Sequence, residues 1–108
     1  MIRSLDIVAA ESGVTVEQVT VWVERHWVRP IRSNRDLAFD EADLARLKMI
    51  VEFRRDLAID DEAMPVVLDL LDRLYATRAQ LATVLAAVGE LPETTRFAIV
   101  KRMTGRAE

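Results

Sequence analysis

Cysteine is absent from this 108-residue chain, histidine occurs once, and glycine and proline occur three times each. Without cysteine there is no disulfide, thiolate metal site or thiol nucleophile, and the chain suits a reducing compartment. His26 has neither a second histidine nor a cysteine with which to build a zinc site, so it reads as a turn residue. No glycine-rich loop is present to cradle a phosphate, and nothing in the sequence suggests a cleft that would fit the Asp60/Asp61 pair for acid–base work. Catalytic, cofactor-binding and metal-ligating residues are therefore all expected to be none, and the protein is expected to be non-enzymatic. No apolar run approaches the ~20 residues of a membrane span. The N-terminus MIRSLDIVAAES lacks a signal-peptide pattern, so a cytoplasmic protein with no membrane partner is expected. Neither sign of charge dominates, with 18 acids against 15 bases. That balance argues against a blanket of positive charge for nucleic acid and leaves room only for a local patch.

What is present is hydrophobic and periodic: 51% of residues are apolar, enough for one core. Residues 4–12 form a short predicted helix, with Ser4 as its cap, Leu5, Val8 and Ala9 on one face, and Gly13 as a left-handed stop. Thr15 caps a second helix through residue 27, with Gln18 in the capping-box position and Val16, Val19, Val23 and Trp27 on one stripe. Two short helices joined by so tight a turn make a helix-turn-helix. The helical period then fails, and residues 28–32 and 36–39 suit a two-stranded ribbon turning at Ser33-Asn34, a wing. Asp40 and Asp43 start a third helix with Leu44, Leu47 and Val51 facing inward. After the Leu57-Ala58-Ile59 break, Asp60 caps the approach to a long helix over 64–88, a rod of ~37 Å at 1.5 Å per residue. Pro65 loosens its first turn, Gly89 ends it, and Pro92 opens a last helix carrying Phe97, Val100 and Met103. The fold class is mainly α: a winged helix-turn-helix domain over 1–60, then a long helix and a short C-terminal helix over 61–108.

On the long helix, Val67, Leu70, Leu71, Leu74, Leu81, Leu85 and Val88 share one side. Val67, Leu74, Leu81 and Val88 keep a seven-residue repeat, with Leu70, Thr77 and Val84 on the partner seam. The stripe either packs on its own domain or pairs between molecules. The short helices before residue 57 have little apolar face left to cover it, which favours an antiparallel homodimer. Opposite the seam lie Glu62, Asp69 and Asp72, with Asp60 and Asp61 before the helix and Arg73 nearby. This is either a solvated acidic face or a docking patch for a basic partner.

A winged helix-turn-helix invites a DNA-reading role, so the second helix is tested for one. A recognition helix offers Arg, Lys, Asn or Gln outward. The available positions are Glu17, Gln18, Thr20, Val21, Glu24 and Arg25. Phosphates would repel Glu17 and Glu24, and Gln18 alone suits a base. Arg25, Arg29, Arg32 and Arg35 lie within eleven residues and could grip a backbone, although a solvated ribbon with arginines paired to Glu24, Asp36 or Asp40 is the plainer expectation. Trp22 and Trp27 suit the core better than base stacking.

The segments GVTVEQVTVWVERHWVRP (13–30) and DEADLARLKMIVEFRRDLAIDDEAM (40–64) resemble the DNA-binding domain of MerR-type regulators. Gly13-Val14-Thr15-Val16 looks like their turn, and Trp27-Val28-Arg29-Pro30 like their leucine-leucine-x-proline approach to the wing. Asp43-Leu44-Ala45-Arg46-Leu47 and Leu57-Ala58-Ile59-Asp60 match the later helix starts. The departures matter. Thr20-Val21-Trp22 replaces the family's phosphate-contacting arginine-tyrosine-tyrosine run, Glu17 its basic residue, and SNRDLAF (33–39) its asparagine-glycine-tyrosine-arginine wing.

These departures, the RRDLAID segment (54–60) and the short C-terminal extension resemble the CbpM chaperone-modulator family. That resemblance implies a homodimeric protein that binds the J-domain of a DnaJ-like co-chaperone (CbpA type) and inhibits it. Because J-domains present a basic helix, charge and helical phase direct the contact to Asp60, Asp61, Glu62, Asp69 and Asp72. The alternative is a small MerR-type transcription regulator using Gln18, Arg25, Arg29, Arg32 and Arg35 on DNA. The charges separate by region: residues 1–56 hold ten acids and nine bases, with two glutamates on the helix that should read DNA.

Overall fold

The computed structural model describes residues 1–105. Its elements run α1 (Leu5–Ser12), α2 (Val16–Glu24), β1 (Ile31–Ser33), β2 (Asp36–Ala38), α3 (Glu41–Arg55), α4 (Met64–Gly89) and α5 (Glu93–Thr104). They divide between two compact units, Met1–Leu68 and Asp69 onward.

Local chemistry sets most boundaries of the first unit. At Gly13, φ is 78°, the left-handed conformation that ends α1. Ser4 occupies the N-cap of α1 without a side-chain cap bond. Thr15 and Gln18 form a full capping box on α2: the Gln18 amide donates to Thr15 Oγ1 (3.1 Å) and the Thr15 amide to Gln18 Oε1 (3.0 Å). Asp40 and Asp43 repeat the device on α3 at 2.8 and 3.0 Å. Three residues shorter than its apolar period predicts, α2 ends at Glu24, because His26 adopts a φ of 63° and the chain leaves the helical path there.

The wing is a single antiparallel pair with Ile31 opposite Ala38, Arg32 opposite Leu37, and Ser33 opposite Asp36. Its turn is Asn34-Arg35, one residue beyond Ser33-Asn34, because Asn34 takes the left-handed conformation (φ 60°) that asparagine tolerates. The first strand begins only at Ile31, since Val28 is drawn into the core instead of the ribbon. An isolated bridge between Arg3 and Phe39 ties the N-terminus beside the wing. A two-stranded ribbon this short needs such support.

The first unit's core gathers Val8, Val19, Trp22, Trp27, Val28, Phe39, Leu44, Leu47, Ile50, Met64 and Leu68. Met64 and Leu68 make the first turns of α4 part of this unit. Asp60 Oδ1 accepts from the Ala63 amide (2.8 Å) just before α4, as a cap does, and α4 then runs without a break to Gly89. The second unit holds the rest of α4, with α5 beginning after Pro92, whose φ of −56° suits a helix start. No described residue from Asp69 onward is buried.

Candidate partner-binding surfaces

The side of α2 that could meet DNA is built by its cap and its C-terminal turn. Gln18, the base-reading candidate, is committed to the capping box and half-buried. Arg25 closes α2 as its C-cap residue, where its Nη1 lies 3.4 Å from Asp61 Oδ2 and its guanidinium 5.4 Å from the Trp27 ring centroid. Two of the five predicted DNA contacts therefore have intramolecular duties. Glu17, Val21 and Glu24 are exposed along α2. Trp22 is only 2% exposed and Trp27 3%, with their rings stacked at 6.1 Å, so neither indole offers a face to a base.

The wing arginines behave otherwise. Arg29, Arg32 and Arg35 are exposed, and among the described residues none of them pairs with an acid. The expected pairing with Glu24, Asp36 or Asp40 does not form. Asp40 is spent on capping α3, and the exposed Arg32 and Arg35 gain little from a pair in water. Arg32 and Arg35 line a cleft of about 620 Å³ with Asp6, Thr20, Glu24 and Asp36. Three carboxylates around two guanidiniums leave this cleft no net positive charge.

The five predicted acidic contacts fall in both units. Asp60, Asp61 and Glu62 belong to the first, where they line a cleft of about 750 Å³ with Trp22, Arg54, Arg55 and Ile59. Asp61 sits between two cations, with Arg54 Nε at 3.2 Å and Arg25 Nη1 at 3.4 Å. Arg73 is thus not the only compensating base. Arg54 also lies 5.5 Å from the Trp22 ring centroid, so one arginine serves both the core's edge and the acid. Glu62 is exposed and makes no ion pair among the described residues. On α4, Asp69 pairs with Arg73 at 3.1 Å, an i,i+4 pair, and Asp72 is exposed.

Sequence reasoning missed this cleft. Ala58 lines it at a φ of 54°, and the preceding Leu57 is 61% exposed despite its aliphatic side chain. Nothing local in the residue types announces an outward leucine. The link from Arg25 to Asp61 spans 36 positions, beyond any local pattern.

The predicted seam is placed as follows. Leu70, Leu74, Leu81 and Leu85 are exposed, as is Val84, while Val67, Leu71 and Val88 are half-buried. No helix among the described residues is long and apolar enough to cross a membrane.

Two short helices joined at Gly13, a capped α3 and a two-stranded wing define a winged helix-turn-helix protein. A family model described as MerR HTH family regulatory protein matches residues 4–84, and the chain belongs to that family. No curated protein and no solved structure matches the chain.

Proposed function

We propose that this protein is a non-enzymatic chaperone modulator of the CbpM type, a homodimer that binds the J-domain of a DnaJ-like co-chaperone and inhibits it. The observation that carries this reading is the state of α2. Its base-reading glutamine is locked in a cap, its terminal arginine is paired with Asp61, and its exposed side includes Glu17 and Glu24. A MerR scaffold with that surface suits a basic protein partner better than a phosphate backbone. Asp60, Asp61, Glu62, Asp69 and Asp72 are the proposed contacts, and the exposed leucines of α4 are the proposed dimer seam. The triple substitution Glu62→Lys, Asp69→Lys, Asp72→Lys tests the first assignment. It should weaken J-domain binding tenfold or more, and unchanged affinity would remove the acidic face from the account.

A second reading is a small DNA-binding regulator, favoured by the unpaired wing arginines Arg29, Arg32 and Arg35. It requires duplex binding with sequence preference that survives physiological salt. A mobility-shift titration at two salt concentrations separates the two: retention of a preferred duplex at the higher salt would favour the regulator.

A further inference from the structure

Outside the core, α2 and its C-cap carry three side chains able to donate to a phosphate: Gln18, Thr20 and Arg25. Each has an intramolecular partner instead. Gln18 is held in the capping box, and the Thr20 hydroxyl donates its proton to the Val16 carbonyl at 2.8 Å. Those two partners lie in the helix or its cap. Arg25 alone is held by a distant residue, Asp61, across 36 positions.

Asp61 closes a ring of contacts. The stacked indoles of Trp22 and Trp27 each carry one guanidinium, Arg54 at 5.5 Å and Arg25 at 5.4 Å from the respective centroids. The Asp61 carboxylate bridges the two arginines, 3.2 Å from Arg54 Nε and 3.4 Å from Arg25 Nη1. Trp27 is itself anchored, its amide donating to the Trp22 carbonyl (2.9 Å) and its carbonyl accepting from Arg46 Nε. An exposed ion pair standing alone contributes little, because two long side chains must be ordered to make it. Here buried indoles position both guanidiniums, so Asp61 meets them with part of that ordering already supplied.

We propose that Asp61 is an autoinhibitory carboxylate: it takes the guanidinium that a nucleic-acid phosphate would otherwise receive and keeps the end of α2 off the backbone. Arg29, Arg32 and Arg35 are not held in this way, since among the described residues they pair with no acid. They supply a weak, sequence-independent grip on a duplex, and Arg25 is the cation that one substitution at position 61 adds to it. The inference concerns nucleic acid alone and does not depend on which protein partner the chain meets.

The test is an anisotropy titration of a short labelled duplex of arbitrary sequence with the full chain at low salt. Asp61→Asn should tighten binding roughly threefold to tenfold and steepen the logarithmic salt dependence by about one, as one added phosphate contact does. Removing a carboxylate also shifts the net charge, so Asp56→Asn is the matched control. Asp56 is exposed and makes no ion pair among the described residues. Its gain should be smaller and indifferent to Arg25. In an Arg25→Gln background the Asp61→Asn gain should fall to that of Asp56→Asn. Asp61→Ala repeats the measurement without a side-chain oxygen that Arg25 could keep. Asp61 is half-exposed and outside the core, so both variants should retain the parent's circular dichroism. No gain in either Asp61 variant, equal gains from Asp61→Asn and Asp56→Asn, or a full gain that survives the loss of Arg25 would each overturn the proposal.

Discussion

Ala58 holds a φ of 54°, a region that costs a residue with a Cβ roughly 1–2 kcal/mol and glycine almost nothing. Glycine gives back part of that through its larger entropy in the unfolded chain. Ala58→Gly should therefore leave stability unchanged or raise it by up to ~1 kcal/mol, read from urea unfolding, whereas clear destabilisation would contradict the assigned backbone. Trp22 tests the core in the opposite direction. Replacing this 2%-exposed indole with alanine should cost ~3–5 kcal/mol or abolish folding, an effect that a base-stacking surface residue would not have. Asp43 supplies a pH signature. Burial raises its carboxyl above the ordinary value, and the neighbouring Asp40 charge pushes the same way against the bond from the Asp40 amide. The folded chain thus binds that proton more tightly than the unfolded chain, and the group's contribution to stability falls as pH rises through the folded pKa. The stability of Asp43→Asn relative to the parent should therefore improve from acid to neutral pH. A constant or reversed difference in paired unfolding curves would contradict this origin of the shift.

Helices and ribbon differ in how far their own residues dictate them. Both capping boxes join residues three apart, so Thr15-Gln18 and Asp40-Asp43 were legible from residue type alone. Thr15→Ala should cost about 1 kcal/mol for that reason, measurable as a lowered Tm. The end of α2 was not legible, because the left-handed His26 breaks a stripe that otherwise continues to Trp27. Nor was the wing's register, where Asn34 moves the turn by one residue and the core claims Val28. The cleft between Trp22 and Ile59 and the Arg25–Asp61–Arg54 group depend on contacts between distant segments, and no pattern in one segment encodes them. Electrostatics at the element scale is testable on α2. If its glutamates are what oppose a phosphate backbone, Glu17→Lys with Glu24→Lys should raise duplex affinity severalfold at low salt. The same pair should leave secondary structure unchanged by circular dichroism, and an unaltered duplex affinity would remove α2 from the argument.

At the scale of the molecule, the unit that begins at Asp69 has no buried residue among those described and exposes leucines at heptad spacing. Such a surface is stable in water when another chain covers it. Leu74→Glu with Leu81→Glu should therefore convert the proposed dimer to monomers in sedimentation, and a variant that stays dimeric would place the seam elsewhere. The seven-residue repeat made this surface readable in advance. Its openness was inferred from the shortage of apolar face on the helices before residue 57, whereas periodicity does not say which partner a helix meets. The central claim, that this MerR-family chain engages a J-domain and not DNA, has one direct measurement: calorimetric titration of the intact protein with the J-domain of a DnaJ-like co-chaperone, paired with titration of duplex DNA, both at physiological salt. The account predicts micromolar or tighter binding to the J-domain, weakening as salt rises, and no measurable heat with DNA. A silent J-domain titration beside saturable, sequence-dependent binding of the duplex would contradict it.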